Sequence, residues 1–320
     1  IYKLKKKLNV VLIGAGKAGS YHAEALSSIY NVNILGVINS GKKDPIQFRE
    51  KYNISNWIKS INNITDISNI DAFIIACSSN ATLNIVQEIS KYKLPCLIEK
   101  PLGISLQESR QIISHFNNHS LNYVGYNRRF YSCILKSQYY INKFGNPLSI
   151  HIDAPEPLCS LIERGKKEHE INNRLILNTT HALDILTLFL GEYKKVFNFN
   201  HNSVRNGLKM DYMSFINFDY NRTASFISHW ASPGNWFVKI FGEDYQIKLN
   251  LTKNSGEINI KKTRTIKFIS DIDDKIFKAG ILKQNYYFLS SIIEQKNMHN
   301  NLCKLNDAFI SIRLAEDLKK

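Results

Sequence analysis

Three groups of residues in this 320-residue chain have types and spacings that can do chemistry. The first is Gly14-Ala15-Gly16-Lys17-Ala18-Gly19, three spaced glycines directly behind the apolar run Val10-Val11-Leu12-Ile13. Gly14 permits a tight turn, Gly16 lets the backbone approach a pyrophosphate at a helix N-terminus, and Gly19 lets helix and strand pack closely. A flexible loop that happens to carry glycines is the competing reading, and the order strand, motif, helix, strand favours the nucleotide. The second group is Glu99-Lys100-Pro101, just past another apolar run. A lysine at the carboxyl end of a strand can polarise a carbonyl or an alkoxide and share a proton with it; taken alone it is as readily a solvated surface group. The third is His181 with Asp184, three residues apart and so on one face of a helix. An imidazole that titrates near ~6.5 can take a hydroxyl proton at neutral pH, or it can be a helix histidine satisfied by packing. Asp184 can orient a neighbour or cap local packing.

The elements that must position these groups follow from periodicity and turn signals. Apolar runs at 8–13, 32–38, 72–76, 94–98 and 122–125 read as strands, and helical patterns at 17–30, 44–52, 80–91 and 105–116 alternate with them. Pro45 suits a first helical turn with Asp44 as its cap. Strand–helix alternation of this kind is an α/β Rossmann domain, a doubly wound parallel sheet, over residues 1–125. After Arg129 the pattern changes. A helix at 132–143 ends at Gly145-Asn146-Pro147, a loop leads to a helix at 180–190, and seven strand-like runs follow at 196–201, 214–218, 224–229, 237–241, 246–251, 257–260 and 265–269. Short turns between consecutive strands mean antiparallel pairing. With helices at 280–296 and 307–319, residues 126–320 read as an α+β domain built on an open, mostly antiparallel sheet.

Composition narrows the function classes. The net charge is +15, but it is spread over a chain rich in Lys, Asn and Ile, and its densest run, 3–7, lies at an expected frayed terminus. That favours a solvated surface over nucleic-acid binding. Five scattered cysteines with no C-x-x-C pair argue against a disulfide framework and against a metal site. No apolar run approaches the ~20 residues of a membrane span, and the basic start lacks the apolar core of a secretory signal. A cytoplasmic protein with no membrane partner is the expectation.

Strand two runs into Asn39-Ser40-Gly41-Lys42-Lys43. An NAD enzyme usually offers a carboxylate here to the ribose 2′-hydroxyl. Asn39 and Ser40 can instead bond a 2′-phosphate, and Lys42 or Lys43 can neutralise it. NADP is therefore the expected cofactor, with NAD as the alternative; a solvated turn with incidental lysines is the competing account.

With these residues in hand, the first ~130 positions resemble the glucose-fructose oxidoreductase/inositol dehydrogenase (Gfo/Idh/MocA) family. The matching stretches are Gly14-Ala15-Gly16 through His22, Ala76-Cys77-Ser78-Ser79-Asn80, Glu99-Lys100-Pro101-Leu102 and Gly125-Tyr126-Asn127-Arg128-Arg129-Phe130. More loosely, Asn178-Thr179-Thr180-His181-Ala182-Leu183-Asp184, His229-Trp230-Ala231-Ser232-Pro233-Gly234 and Phe241-Gly242-Glu243 resemble its second half. The resemblance implies hydride transfer between a nicotinamide and a sugar or cyclitol hydroxyl, with the substrate between the domains. It implies Lys100 and His181 as catalytic residues. Gly14, Gly16, Lys17, Ala18, Asn39, Ser40, Lys42, Cys77, Ser78, Asn80, Glu99 and Lys100 would hold the cofactor, and Asn127, Arg128, Asn178 and Asp184 the substrate. It also implies a homodimer or homotetramer formed through an exposed sheet face. An arginine at 128 can hold a phosphate or carboxylate, or serve as part of a hinge. Trp230 and Trp236 read as core or interface aromatics more readily than as a sugar-stacking platform.

The departures bear on mechanism. Many relatives carry an acidic residue one turn before this histidine, where this chain has Leu177 and Asn178. An amide can donate or accept but cannot take a proton, which leaves Lys100 and His181 to do so. Ser79 stands where a proline is common and Leu83 where a histidine is common, which touches the cofactor contact less. A sensor that binds the dinucleotide and has lost its chemistry is the alternative function.

Overall fold

A computed structural model describes residues 2–39, 44–116, 121–163, 165, 168–199, 204–205, 208–209, 211–230, 232–261 and 265–320. Two compact units divide the chain: Ile1–Phe130 with Asp273–Phe309, and Tyr131–Ile272 with Ile310–Lys320.

The first unit runs β1 (Lys3–Ile13), α1 (Lys17–Ser27), β2 (Tyr30–Ile38), α2 (Ile46–Lys51), β3 (Asn56–Ile58), β4 (Ala72–Ile75), α3 (Thr82–Ile89), β5 (Cys96–Ile98), α4 (Leu106–Ser114) and β6 (Tyr123–Val124). The strands lie side by side in the order β6-β5-β4-β1-β2-β3, all parallel. The chain builds outward from β1 to β3, then crosses to the other side of β1 for β4 to β6. The crevice at that reversal, outside the carboxyl ends of β1 and β4, is where such sheets bind ligands. Val10, Val11, Leu12, Phe73 and Ile74 are fully buried, as a strand covered on both faces requires. β1 starts at Lys3 rather than at residue 8. The basic stretch 3–7, read as a frayed end, is strand because Leu4 and Leu8 anchor it in the core and Lys5 Nζ meets Glu294 Oε1 at 2.6 Å.

The second unit runs α5 (Ser132–Phe144), β7 (Ser149–Asp153), α6 (Leu158–Glu163), α7 (Glu168–Asn172), a π-helical turn (Leu175–Thr179), α8 (Thr180–Leu190), β8 (Tyr193–Asn198), the short pair β9 (Val204–Arg205) and β10 (Leu208–Lys209), β11 (Asp211–Phe218), β12 (Thr223–His229), β13 (Phe237–Phe241), β14 (Tyr245–Asn250), β15 (Ser255–Ile260) and β16 (Thr265–Phe268). Eight strands form one sheet in the order β16-β15-β14-β13-β7-β12-β11-β8, antiparallel at every step except β7 on β12. The sequence reads 149–153 as loop, yet β7 is a central strand. Ile150 and Ile152 point into the core, while Ser149, His151 and Asp153 take the other face and mask the alternation. Trp230 and Trp236 are buried, and Trp236 Nε1 donates to Pro155 O at 2.9 Å.

The chain then passes through α9 (Ile272–Ile276), α10 (Ile281–Glu294), β17 (Cys303–Lys304) and α11 (Leu305–Asp317). A boundary at 125 assigns all of this to the second domain, but 273–309 return to the first unit. Two contacts explain it. α10 buries Ile281, Leu282, Phe288 and Leu289 in one core with Val10, Leu12, Ala23 and Leu26. β17 adds an antiparallel edge strand beside β6, Cys303 opposite Val124. Among the described residues no helix is long and apolar enough to cross a membrane.

As a central strand, β7 has a measurable weight. Ile152→Ala should cost about 2–5 kcal/mol, since it removes a buried branched side chain and leaves a cavity. Denaturant unfolding reads this directly, and a loss under about 0.5 kcal/mol would return the segment to a surface loop.

Candidate active site

The glycine loop follows β1 directly. Gly14 has φ +114°, and a Cβ there would overlap Ala76 O at the end of β4. A Cβ on Gly19 would overlap Gly14 O. These two positions close α1 onto the sheet. Gly16 is the opposite case: nothing lies within 4 Å of its would-be Cβ. It caps α1 with no side-chain hydrogen bond, and no acidic residue occupies the first turn. The unclaimed N–H groups and the positive end of the helix dipole are therefore left for an anion. A cleft of about 350 Å³ opens at this point, lined by Gly14, Gly16, Asn39, Ser60, Cys77 and Ser78 among others. Burial pushes the Cys77 thiol up from its ordinary range, so it serves as a small apolar wall. The cradle, the open N-terminus and the position at the sheet's reversal fit a dinucleotide. Of the other cofactor candidates, Lys17 and Ala18 begin α1, and Asn80 lies exposed on a 3₁₀ turn beside the cleft. Ser40 and Lys42 lie outside the described residues.

Glu99 and Lys100 follow β5, whose end sits beside that of β4. Glu99 packs against Gly125, where a Cβ would come within 3.0 Å of its Oε1. Its partner is His22 of α1, fully buried, with Nε2 at 3.0 Å from Glu99 Oε1. His22 Nδ1 meets Asn285 Oδ1 of α10 at 3.1 Å. Asn285 Nδ2 donates to Ile281 O at 2.9 Å, so its oxygen faces the imidazole and Nδ1 must donate. One proton then lies on the contact with Glu99, either as an ion pair or as a carboxylic acid bonded to neutral imidazole. Neither His22 nor Asn285 stood among the sequence's site residues. His22 is legible only as part of a family motif, and Asn285 has no signal at all, since 263 residues separate it from His22. Lys278, just before α10, is lowered from the ordinary lysine range by burial first, then by Arg128 and Lys17. The Asn127 amide is spent within the unit, donating to Ala279 O at 2.8 Å. That bond supports a structural use for Asn127 ahead of a substrate contact.

In the second unit His181 sits in the first turn of α8, buried. Asp184, one turn on, is buried too, and its Oδ1 accepts from Ser311 of α11 at 3.5 Å, which supports packing over a substrate role. The π turn before α8 is clamped by Glu156, a residue the sequence reading passed over. Its carboxylate is 1% exposed and accepts from Arg174 Nε at 3.0 Å, Asn178 Nδ2 at 2.7 Å and Thr179 Oγ1 at 2.9 Å. The available signal was a lone acid between two prolines, Pro155-Glu156-Pro157. Lys100 and His181 thus belong to different units. Among the described residues no cluster of three or more His, Cys, Asp or Glu is placed to hold a metal ion.

A doubly wound sheet carrying this glycine cradle is a Rossmann-type dinucleotide-binding fold, joined in this chain to a second, mostly antiparallel sheet. Residues 8–126 match the family model described as an oxidoreductase family with an NAD-binding Rossmann fold. That stretch is similar to the Gfo/Idh/MocA oxidoreductases. Two curated relatives show the range. A myo-inositol 2-dehydrogenase of Thermotoga maritima is 24% identical over 190 residues, 58% of this chain and 55% of that protein. A glucose-6-phosphate 3-dehydrogenase of Bacillus subtilis is 32% identical over 152 residues, 46% of this chain and 41% of that protein. The chain spans about half the length of the curated relatives it matches. Among solved structures, levoglucosan dehydrogenase in complex with NADH and levoglucosan superposes with a TM-score of 0.82 over 98% of both chains at 17% identity, a likeness of fold.

The two kinds of glycine separate in experiment. Gly14→Ala should lower the melting temperature markedly, because it adds both a clash and a disfavoured φ. Gly16→Ala should leave stability within about 0.5 kcal/mol while weakening dinucleotide binding in fluorescence titration. Equal effects of the two substitutions on stability would contradict this division of labour.

Proposed function

We propose that the chain is an NAD(P)-dependent oxidoreductase acting on a hydroxyl or keto group of a sugar, an activated sugar or a cyclitol. The observation that carries the reading is the glycine cradle opening at the same sheet end as Glu99-Lys100, in a chain whose relatives are named as dehydrogenases of inositol and of glucose 6-phosphate. When bound, the nicotinamide supplies or accepts the hydride. The protein's residues manage the proton and the charge. In oxidation the C–H hydrogen leaves as hydride while the O–H proton passes to His181, and the Lys100 ammonium stabilises the developing alkoxide. In reduction His181 returns the proton. Asn178 and Arg128 are the polar groups proposed to hold the substrate. The presence of both Lys100 and His181 supports an enzyme over a sensor that has lost its chemistry.

Asn39 at the end of β2, lining the cleft where a carboxylate would repel a 2′-phosphate, supports NADPH over NADH. The exposed Phe197, Phe199 and Phe215, neighbours at the β8–β11 edge of the second sheet with the Phe199 and Phe215 rings 5.7 Å apart, support a homodimer or homotetramer, since monomers rarely leave such a patch bare. A cytoplasmic location fits this chemistry.

Lys100→Ala and His181→Ala should each cut turnover by roughly 10²–10⁴, with dinucleotide affinity retained. Full activity in both variants on a substrate the wild type turns over would refute the assignment. NADPH should bind more tightly than NADH, and Asn39→Asp should reverse or erase the difference by ~1–3 kcal/mol; tighter NADH binding by the wild type would reject that preference.

A further inference from the structure

The segment Ala154-Pro155-Glu156-Pro157-Leu158 leaves β7 and is pinned along its length. Ala154 N donates to Ile227 O at 2.8 Å, Glu156 N to His229 O at 3.1 Å and Leu158 N to Trp230 O at 2.9 Å. Pro155 O accepts from Trp236 Nε1 at 2.9 Å, and Ala154 O from Ser228 Oγ at 2.7 Å. Gly234 leaves room for Pro155, whose Cγ would lie 3.0 Å from a Cβ there. With a proline on each side, the backbone that carries Glu156 has little freedom. A buried carboxylate on so fixed a support is costly unless every lone pair is used. Here it meets Arg174 at the start of the π turn and Asn178 and Thr179 at its end. Turns of this type inside helices recur at functional sites, and this one leads directly into the turn that carries His181.

The consequence falls on Asn178. Its NH₂ group is committed to Glu156 Oε1 at 2.7 Å, so the orientation of the amide is fixed by its partner rather than free to flip. Asn178 is only partly buried. What it offers outward is therefore Oδ1, an acceptor, polarised by the negative charge on the far side of the amide. We propose that Glu156 is a positioning residue that sets Asn178 as an acceptor for one substrate hydroxyl, making the enzyme select sugars or cyclitols that carry a hydroxyl at that position over deoxy analogues. This rests on the sugar or cyclitol reading of the site. It supplies a reason for the amide where many relatives have an acid: the carboxylate is present, held one layer back, where it orients the amide rather than meeting the substrate itself.

The test compares kcat and KM of the full-length wild type, Asn178→Ala, Glu156→Met and Glu156→Gln on myo-inositol, glucose 6-phosphate and levoglucosan and on their singly deoxygenated analogues. Met fills the space without an acceptor, whereas Gln keeps an oxygen for Asn178. For a substrate the wild type turns over, one deoxy analogue should lose ten- to hundredfold in kcat/KM. Asn178→Ala and Glu156→Met should each erase that discrimination, mainly through KM, and the double variant should be no worse than either single one. Glu156→Gln should restore it. A Glu156→Met enzyme that keeps full discrimination, or one that slows every substrate equally through kcat, overturns the proposal while leaving the function standing. A wild type that turns over no polyol overturns both. Independently of turnover, hydrogen exchange of the Asn178 side-chain amide in the wild type alone should be slow for at least one proton; exchange at the rate of an exposed amide overturns the proposal even if Glu156→Met fails to fold.

Discussion

How close α1 lies to the sheet governs what the first unit can hold. Gly19 rests on the Gly14 carbonyl, and Gly14 rests on the Ala76 carbonyl at the end of the neighbouring strand. A side chain at either position would lift the helix by about the width of a methyl group, and both the cleft and the helix N-terminus would move with it. The same closeness delivers His22. One turn past Gly19, it is fully buried and within 3.0 Å of Glu99, the residue before Lys100. The glycines therefore do two things: they leave a floor on which a pyrophosphate can settle, and they bring a helix histidine to the carboxylate beside the proposed catalytic lysine.

Each unit also spends a carboxylate on geometry, Glu99 partly buried and Glu156 fully so. Glu99 is tied through His22 to Asn285 on a helix that comes from the far end of the chain. Glu156 is tied to three donors spread over one irregular turn. Desolvating a carboxylate costs several kcal/mol, which ion pairing and hydrogen bonds offset only when their geometry is good. Networks of this kind contribute little net stability, but removal of one partner leaves a buried charge stranded. The first network also gives residues 273–309 a reason to fold with the Rossmann sheet beyond their apolar contacts: without Asn285, the inner nitrogen of a fully buried imidazole loses its acceptor.

Much of this was legible in the sequence where local rules dominate. The strands ending at Gly14, Cys77 and Glu99, the helix behind the glycines and the antiparallel strand runs of the second unit all follow from apolar periodicity and turn residues. β7 was hidden because its outward residues are Ser, His and Asp, which imitate a loop, although Ile150 and Ile152 keep strict alternation. The return of α10 was hidden because periodicity identifies a helix's apolar face but not the core that receives it. Glu156 was hidden for a related reason: Pro-Glu-Pro reads as a turn, and nothing local says that Arg174, Asn178 and Thr179 will close around it. By the family resemblance alone, the turn 174–178 reads only as the loss of an acid.

The geometry gives that departure a different meaning. An acid at 178 would have to lie where Asn178 now donates to Glu156 across 2.7 Å. Two carboxylates at that separation in a buried site cannot both be ionised, so one would hold a proton or the turn would open. With Glu156 in place, position 178 must be a donor toward the interior, and an asparagine meets that requirement while keeping an acceptor on its other side. Glu156 and Asn178 are thus a matched pair, and neither residue type makes sense without the other. Arg174 completes the set by neutralising the second carboxylate oxygen. With Glu156 buried, an alanine at 178 would remove one of its three donors and leave that carboxylate partly unsatisfied. Retaining a rigid, fully bonded carboxylate behind an outward-facing amide oxygen is the arrangement expected of a site that still has a polar ligand to orient.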